Sequence, residues 1–315
     1  MSNPMVSICM PAYNAGKYIT EAINSVLSQS YEQLELIIVN DGSTDNTAEI
    51  LSQINDKRVK IFHQTNKGQS SAANTAFYHS SGSLIKFMDA DDIISLSFIE
   101  SQVKCISGRT DVIVSASWGR FYNNDLSTFK LNPETVWKNM KSLDWLTESW
   151  RYGNSMMQCA LWLIPREILE KSGLWDKELN LINDFDFFSR VILNSNEILF
   201  EKDAVLFYRS GISGSLSDSK SEKAIQSAFK SIEKGTSALM SFREDKDTLL
   251  ACANTWQQFA YTLYPNHKKL LKNVEDKIHK LGGANIDFKA GKLGELFIKL
   301  FNWKTFLLIR ALIKP

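Results

Sequence analysis

Leu84-Ile85-Lys86-Phe87-Met88-Asp89-Ala90-Asp91-Asp92 is a short apolar run that ends in three carboxylates. The run, Leu84 to Met88, has the length and composition of a buried strand. Three acids crowded at a strand end repel one another and raise each other's pKa. A hard divalent cation relieves that conflict. Mg²⁺ and Mn²⁺ are commonly held by one or two carboxylates together with substrate phosphates. The competing reading is a turn in which Asp91 or Asp92 caps the helix that begins near Ser97. A calcium EF-hand loop is excluded. Counting from Asp89, Glu100 supplies the acid at position twelve, but position five is Ile93 and the sharp-turn position six is Ile94 instead of Gly.

Working outward, the first third of the chain alternates strand and helix signals. Met5 to Met10 is a short apolar run closed by Pro11. Ile19, Ala22, Ile23, Val26 and Leu27 recur at helical spacing. Leu34 to Val39 is apolar and β-branched and is followed by the turn residues Asn40-Asp41-Gly42-Ser43. A helix is expected over Thr47 to Ile54, a strand over Val59 to His63 and a small-residue helix over Ser70 to His79. Ser97-x-x-Glu100 reads as a capping box that opens a further helix. Alternation of this length implies a parallel sheet with helices on both faces. Ligands of such sheets sit at the carboxyl ends of the strands. Polar clusters follow three of these strands: Tyr13-Asn14, Asp41-Gly42-Ser43 and Asp89 to Asp92. Their shared location favours the metal–phosphate reading.

Bulk properties narrow the class. The chain has 315 residues, 44% hydrophobic and 23% charged, with net charge +1. This is ordinary for a globular protein and does not mark a nucleic-acid binder. Cys9, Cys105, Cys159 and Cys252 are widely spaced. Neither a zinc site nor a disulfide framework is expected, and reduced thiols in the cytoplasm are the simplest reading. No signal peptide is read at the N-terminus, and no uncharged apolar run approaches the ~20 residues that span a bilayer. From 111 to 217 the chain is richer in aromatics and less regular. Trp118, Trp137, Trp145, Trp150, Trp162 and Trp175 lie there, mostly as expected core, with one or two available as a platform for a sugar ring. Ser210 to Ser219 reads as a mobile loop. Beyond Ser221 the pattern is helical.

Val6-Ser7-Ile8-Cys9-Met10-Pro11-Ala12-Tyr13-Asn14, Ile37-Ile38-Val39-Asn40-Asp41-Gly42-Ser43-Thr44-Asp45, Asn66-Lys67-Gly68, Ala72-Ala73-Asn74 and Phe87-Met88-Asp89-Ala90-Asp91-Asp92 together resemble the family 2 glycosyltransferases. The resemblance implies the α/β GT-A fold, a Rossmann-like mixed sheet with helices on both faces, here with a C-terminal helical extension. It implies a catalytic domain over 1–217, with a nucleotide-binding half (1–110) and an acceptor-binding half (111–217), and a helical region over 218–315. It further implies inverting transfer of a sugar from a nucleotide-diphosphate donor, a UDP-sugar, to an acceptor hydroxyl on a glycan or lipid-linked oligosaccharide of the cell surface. Pro11, Ala12, Tyr13 and Asn14 would line the nucleotide pocket, with Lys67, Gly68 and Ala90 beside it. Asp41 would bind the base, since a carboxylate suits the uracil N3–H donor. Asp89 would contact the ribose or sugar, Asp91 would bind Mn²⁺ or Mg²⁺ with Asp89, and Asp92 would cap or support. Asp45 reads as a cap for the next helix.

An inverting transfer also needs a group that takes the acceptor proton. Leu179 to Arg190 resembles the family's Glu-Asp segment at a helix start. On a helix Asp186 and Arg190 are i,i+4 neighbours and can pair, which gives Asp186 a structural task. Asp184 has Phe187 and Phe188 at its own i+3 and i+4. It is therefore either an N-cap or the base, and the resemblance favours the base. Three departures from the family pattern stand out. Asn183 replaces the usual Glu, Ala73 stands where many relatives carry Arg, and Tyr208-Arg209-Ser210-Gly211 lacks the late His that helps hold metal. Arg209 is the replacement candidate for neutralising diphosphate.

Lys292 to Pro315 reads as a basic amphipathic helix of net charge +4, able to lie in an anionic membrane interface on the inner face of the plasma membrane. The rival readings are a helix packed on the domain or a dimer contact. For function the rivals are a catalytically degenerate binding or scaffold subunit and a sugar nucleotidyltransferase. The latter wants a Gly-rich basic loop where this chain has Pro11-Ala12-Tyr13-Asn14. Sugar, linkage and oligomeric state are not legible. Acceptor choice is expected near Trp118, Asn154 to Gln158 and Gly211.

Overall fold

A computed structural model describes residues 3–153, 156–212 and 221–313. Asn154 and the greater part of the loop expected over Ser210 to Ser219, with the domain boundary at 217/218, lie outside the described residues. The chain falls into two compact units, 1–145 with 157–238 and 146–156 with 239–315.

The first unit opens with β1 (Val6–Ala12), α1 (Ile19–Leu27), β2 (Leu34–Asn40), α2 (Thr47–Ser52), β3 (Val59–His63), α3 (Gln69–Tyr78) and β4 (Leu84–Phe87). It continues with β5 (Ile93–Ile94), α4 (Phe98–Ile106), β6 (Val112–Tyr122), β7 (Asp125–Leu131), β8 (Met140–Lys141) and the start of α5 (Ser142–Trp150), whose residues from 146 on belong to the second unit. Then come β9 (Ile164–Pro165), α6 (Arg166–Ser172), α7 (Asn183–Leu193) and β10 (Glu197–Ser210). One sheet has the order β3-β2-β1-β4-β9, the other β5-β10-β6-β7 with β8 on β10. β1, β2, β3 and β4 are mutually parallel, and β9 is antiparallel to β4. The four parallel strands are those expected from the alternation, and the antiparallel β9 makes the sheet mixed, as the family resemblance implies.

Every residue of β2 is buried, as expected of a parallel strand covered on both faces. Its Glu35 is tolerated because its carboxylate accepts hydrogen bonds from Ser7, Lys60 and Ser81. Burial alone would raise its pKa, and these bonds overcome that and pull it down to about 2. The order of the first sheet fixes the site. The chain runs outward from β1 through β2 to β3, then returns to place β4 on the other side of β1. The crevice beyond the carboxyl ends of β1 and β4 is the switch point where open α/β sheets bind ligands.

Two strands in the aromatic middle, β6 and β10, run parallel from Val112 and Glu197 with a register break between Glu201 and Val205. They are long, and the sequence reading left them as irregular chain. The tryptophans are core: Trp118, Trp145, Trp150, Trp162 and Trp175 are all buried. Trp175 stacks on Phe187 with centroids 4.0 Å apart, and Phe87 meets both rings edge-on at 5.4 Å. This cluster locks β4 against α7. The expected capping box does not form. Ser97 sits at φ −96°, ψ 11° without a side-chain cap bond, and Glu100 binds Lys104 and the Ser30 hydroxyl instead.

The second unit is helical. α8 (Glu222–Phe242) leads into it, followed by α9 (Lys246–Leu263), α10 (Lys268–Lys280), α11 (Lys292–Phe301) and α12 (Trp303–Ile313). Asp245 caps α9 by accepting from the Thr248 N–H. The single terminal helix read from the sequence is two helices, because Asn302 adopts φ +77° between them.

Asn74 on α3 is buried and makes both hydrogen bonds to the Trp175 backbone, at 2.8 and 3.0 Å. Asn74→Ala leaves a buried N–H and C=O unpaired. Urea denaturation should show a loss of roughly 2–4 kcal/mol.

Candidate active site

The ends of β1 and β4 bring most of the expected residues together. Pro11 and Asp89 line one pocket with Gln69, Ser70, Ala73, Phe87, Cys159 and Trp175. Tyr13 is 51% exposed at the rim. Asn14 takes φ +48°, and its side-chain oxygen accepts from the Thr44 N–H at 2.8 Å. This joins the loop after β1 to the loop after β2. Asp45 accepts from the Thr47 N–H and from Gly16 N–H, a supporting role at the start of α2. Ala12 and Ala90 are buried and contribute backbone and shape.

Asp41 is 2% exposed. Its carboxylate accepts from the Lys67 and Gly68 N–H groups at 2.9 and 2.8 Å and from Gln64 at 2.7 Å. Lys67 and Gly68 are thus held through their backbone. Gly68 sits at φ +89°, a conformation side chains disfavour.

Asp89, Asp91 and Asp92 present oxygens that all lie within 4.8 Å of one another. Asp89 accepts from Gln69 at 2.7 Å and from Gln158 at 3.2 Å, and Gln158 also donates to Asp92 at 2.6 Å. The Asp91 carboxylate has no such side-chain donor among the described residues. Asp91 is pushed up to about 7, first by burial and then by the Asp89 charge. Burial likewise raises Asp89, and burial with the Asp91 and Asp89 charges raises Asp92. A cluster of hard oxygens, with one carboxylate left open and its charge uncompensated, fits Mg²⁺ or Mn²⁺.

Arg209 lies beneath this cluster. Its backbone N–H donates to Asp92 at 3.0 Å, and its Nε donates to the Asp91 carbonyl at 2.7 Å. Its Nη2 pairs with Glu21 at 2.7 Å, and the side chain is 1% exposed. The guanidinium packs 4.7 Å from both the Tyr18 and Phe121 rings. It is a buried strut and fixed positive charge, not an arm reaching into open cleft. Lys86 is also fully buried, donating to the Ala160 and Trp162 carbonyls at 2.7 and 3.0 Å. Those bonds hold the turn that carries Gln158.

Asp184 stands in the first turn of α7 and is partly accessible. Its pKa is raised well above the usual range, mainly by burial and next by the charge of Asp89. The charge of Asp89 is thus felt at Asp184. Asp186 pairs with Arg190 at 2.9 Å, as the i,i+4 spacing requires. Arg190 also donates to the Ser172 and Leu174 carbonyls. Asn183, in place of the family's Glu, donates to Ser70 at 3.1 Å.

Several residues of this site carry little signal in the sequence for the part they play. Gln158 ends the stretch expected for acceptor choice, but nothing there points to its bonds to Asp89 and Asp92. Gln69 and Gln158 come from distant segments. Ser227 and Ser231 on α8 hold the approach to Asp184. Ser227 accepts from Asn180 and Leu181 N–H, and Ser231 accepts from Asp186 N–H while donating to the Ile182 carbonyl at 2.6 Å. They secure Ile182 at φ +55°, a strained conformation for a β-branched residue that costs about 1–3 kcal/mol. The i,i+4 serine pair was the available clue.

Known proteins share this chain's sequence pattern and fold. The family described as Glycosyl transferase family 2 matches residues 7–173. A glycosyltransferase of Rickettsia typhi is 31% identical over 209 residues, 65% of this chain and 63% of that protein. Glycosyltransferase GlyG of Streptococcus pneumoniae is 37% identical over 127 residues, 39% of this chain and 41% of that protein. The chain thus matches less than two thirds of the length of these relatives. Among solved structures, S. aureus TarS 1–349 in complex with UDP-GlcNAc aligns with a TM-score of 0.62 at 18% identity, covering 91% of this chain and 97% of that one. The chain belongs to glycosyl transferase family 2, and its fold is GT-A.

Because the folded pKa of Asp91 lies above its usual value near ~4, the folded state keeps a proton that the unfolded chain has released. In this window, between about 4 and 7, Asp91 makes the cation-free protein less stable as pH rises. A cation needs the ionised oxygen. Its affinity should therefore weaken as pH falls below about 7, approaching tenfold per pH unit. Calorimetric titration with Mn²⁺ should show this slope for the wild type, and little binding for Asp91→Asn.

Proposed function

We propose that this protein is an inverting glycosyltransferase that moves a sugar from a nucleotide-diphosphate donor to an acceptor hydroxyl. The observation that supports the reading is the acidic cluster of Asp89, Asp91 and Asp92 at the carboxyl end of β4, with the Asp89 charge acting on Asp184 in the first turn of α7. The reaction requires a donor site and a proton acceptor, and in this reading the acidic cluster and Asp184 supply them.

In this reading the donor is a UDP-sugar. The UDP-GlcNAc complex of the structurally similar TarS supports it. Asp41 receives the uracil N3–H: a carboxylate has about four acceptor positions, and three hydrogen bonds leave room for another. Tyr13 and Asn14 border the nucleoside, and Asp89 turns toward the ribose or sugar. Asp91, with Asp89, holds Mn²⁺ or Mg²⁺. When bound, the cation stabilises the charge that develops on the departing diphosphate.

Asp184 accepts the acceptor's proton as its oxygen attacks the anomeric carbon. Burial and the Asp89 charge hold its pKa well above the usual carboxylate range, which makes it a stronger proton acceptor than an exposed aspartate. The anomeric carbon inverts because the nucleophile enters opposite the leaving diphosphate. The acceptor is a glycan or lipid-linked oligosaccharide of a cell-surface polysaccharide, built at the cytoplasmic side.

Asp184→Asn separates this reading from a scaffold that has kept the fold without turnover. The variant should retain UDP affinity within about twofold and lose turnover by roughly 10²–10⁴, measured by UDP release with a panel of acceptors. Turnover equal to wild type would remove Asp184 from the role of base.

A further inference from the structure

The second unit carries a feature that sugar transfer does not use. α11 and α12 pack on each other through Phe297 and Phe306, whose centroids are 6.1 Å apart. Close approach is secured by Gly294, where an added Cβ would meet the Phe306 ring at 3.1 Å. Trp303 anchors the pair edge-on against Tyr261 of α9 at 5.0 Å and near Tyr264 at 5.8 Å. The opposite side is bare. Leu296 and Leu300 form one stripe on α11, and Leu308 with Leu312 and Ile309 with Ile313 form two on α12. All are at least 40% exposed, and Leu300 and Leu312 reach 69% and 77%. No residue of α12 is buried. Large apolar side chains concentrated in this way mark a contact surface.

The charge around them identifies the partner. Residues 267–313 hold ten Lys and Arg against four Asp and Glu, a net +6 in a chain whose total is +1. Lys299 and Arg310 are exposed on the same two helices. Five of the lysines stand on α10, whose buried residues are Leu271, Val274 and Ile278. A self-associating surface would set positive charge against positive charge. Nucleic acid would not use the leucine and isoleucine stripes. Among the described residues no helix is long and apolar enough to cross a membrane. α11 and α12 have 10 and 11 residues, about half of a bilayer span.

We infer that the α11–α12 hairpin is a monotopic anchor that lays its leucine and isoleucine stripes into the surface of an anionic bilayer, with the lysines of α10 to α12 against the headgroups. Apolar insertion and headgroup attraction act together, so each alone gives weak binding. This inference stands apart from the assignment of the donor site, because vesicle binding needs neither nucleotide nor cation.

The test is co-sedimentation of the full chain with vesicles of equal parts phosphatidylglycerol and phosphatidylcholine, and with phosphatidylcholine alone. Binding to the anionic vesicles should exceed binding to the neutral ones and fall as salt rises. Leu300→Glu with Leu312→Glu should weaken it by at least ~tenfold, and Lys299→Gln with Arg310→Gln should weaken it severalfold at low salt. These side chains are exposed, so circular dichroism and melting temperature should be unchanged, which separates lost docking from lost folding. Light scattering on the same samples tests a second copy as the occupant. A wild-type dimer that the leucine variant converts to a monomer, with no vesicle binding, overturns the inference. Equal binding to neutral and anionic vesicles overturns the electrostatic half of it.

Discussion

Three buried or half-buried carboxylates at the end of one strand are the constraint on which the site depends. Asp89, Asp91 and Asp92 lie too close together to ionise independently. The protein offsets this from several directions. Gln158 holds Asp89 and Asp92 through one amide nitrogen, Gln69 takes the other oxygen of Asp89, and Arg209 binds the backbone of Asp91 and the side chain of Asp92. What is left over is concentrated on Asp91, the one carboxylate without a side-chain donor among the described residues. Such an arrangement fits a hard divalent cation.

Aromatic packing ties the strand that carries this cluster to the helix that carries Asp184. Phe87 is two residues before Asp89, Phe187 is three residues after Asp184, and both rings pack on Trp175. Aromatic pairs of this kind contribute about 0.5–1.5 kcal/mol each beyond their buried area. They also fix geometry, because shape-matched rings in a dense core tolerate little sliding. On the far side of α7, Ser227 and Ser231 hold the backbone that leads to Asp184 in a strained turn. The strain is concentrated beside the candidate base, where accuracy of placement matters most.

Much of this was legible in the sequence because local chemistry and global fold agree there. Parallel strands buried on both faces read as apolar runs, and β1, β2 and β4 did so. The turns after them carry polar groups because the strand ends face the cleft. The Asp186–Arg190 pair followed from helical spacing alone. What escaped was long-range. β6 and β10 are a parallel pair 85 positions apart in register, as Ile113 opposite Ile198 and its neighbours show, and a single strand's pattern does not announce its partner. Gln158 and Gln69 are ordinary residues whose importance arises only when folding brings them to Asp89. The capping box failed because Glu100 had better partners in Lys104 and Ser30. Ser97 also lacks the extended backbone that a capping side chain needs. The C-terminal segment read as one amphipathic helix is two, because Asn302 takes a positive φ and its side chain accepts from the Thr305 N–H, which starts a new helix.

The account's central claim is that donor binding and cation binding are one event, since an uncompensated carboxylate at Asp91 would repel a diphosphate. The most direct measurement is calorimetric titration of UDP into the wild-type chain, with and without saturating Mn²⁺, at pH about 7.5, above the raised pKa of Asp91. The account predicts that Mn²⁺ tightens UDP binding by at least ~tenfold, a coupling of about 1.4 kcal/mol. Equal UDP affinity with and without Mn²⁺ would contradict it.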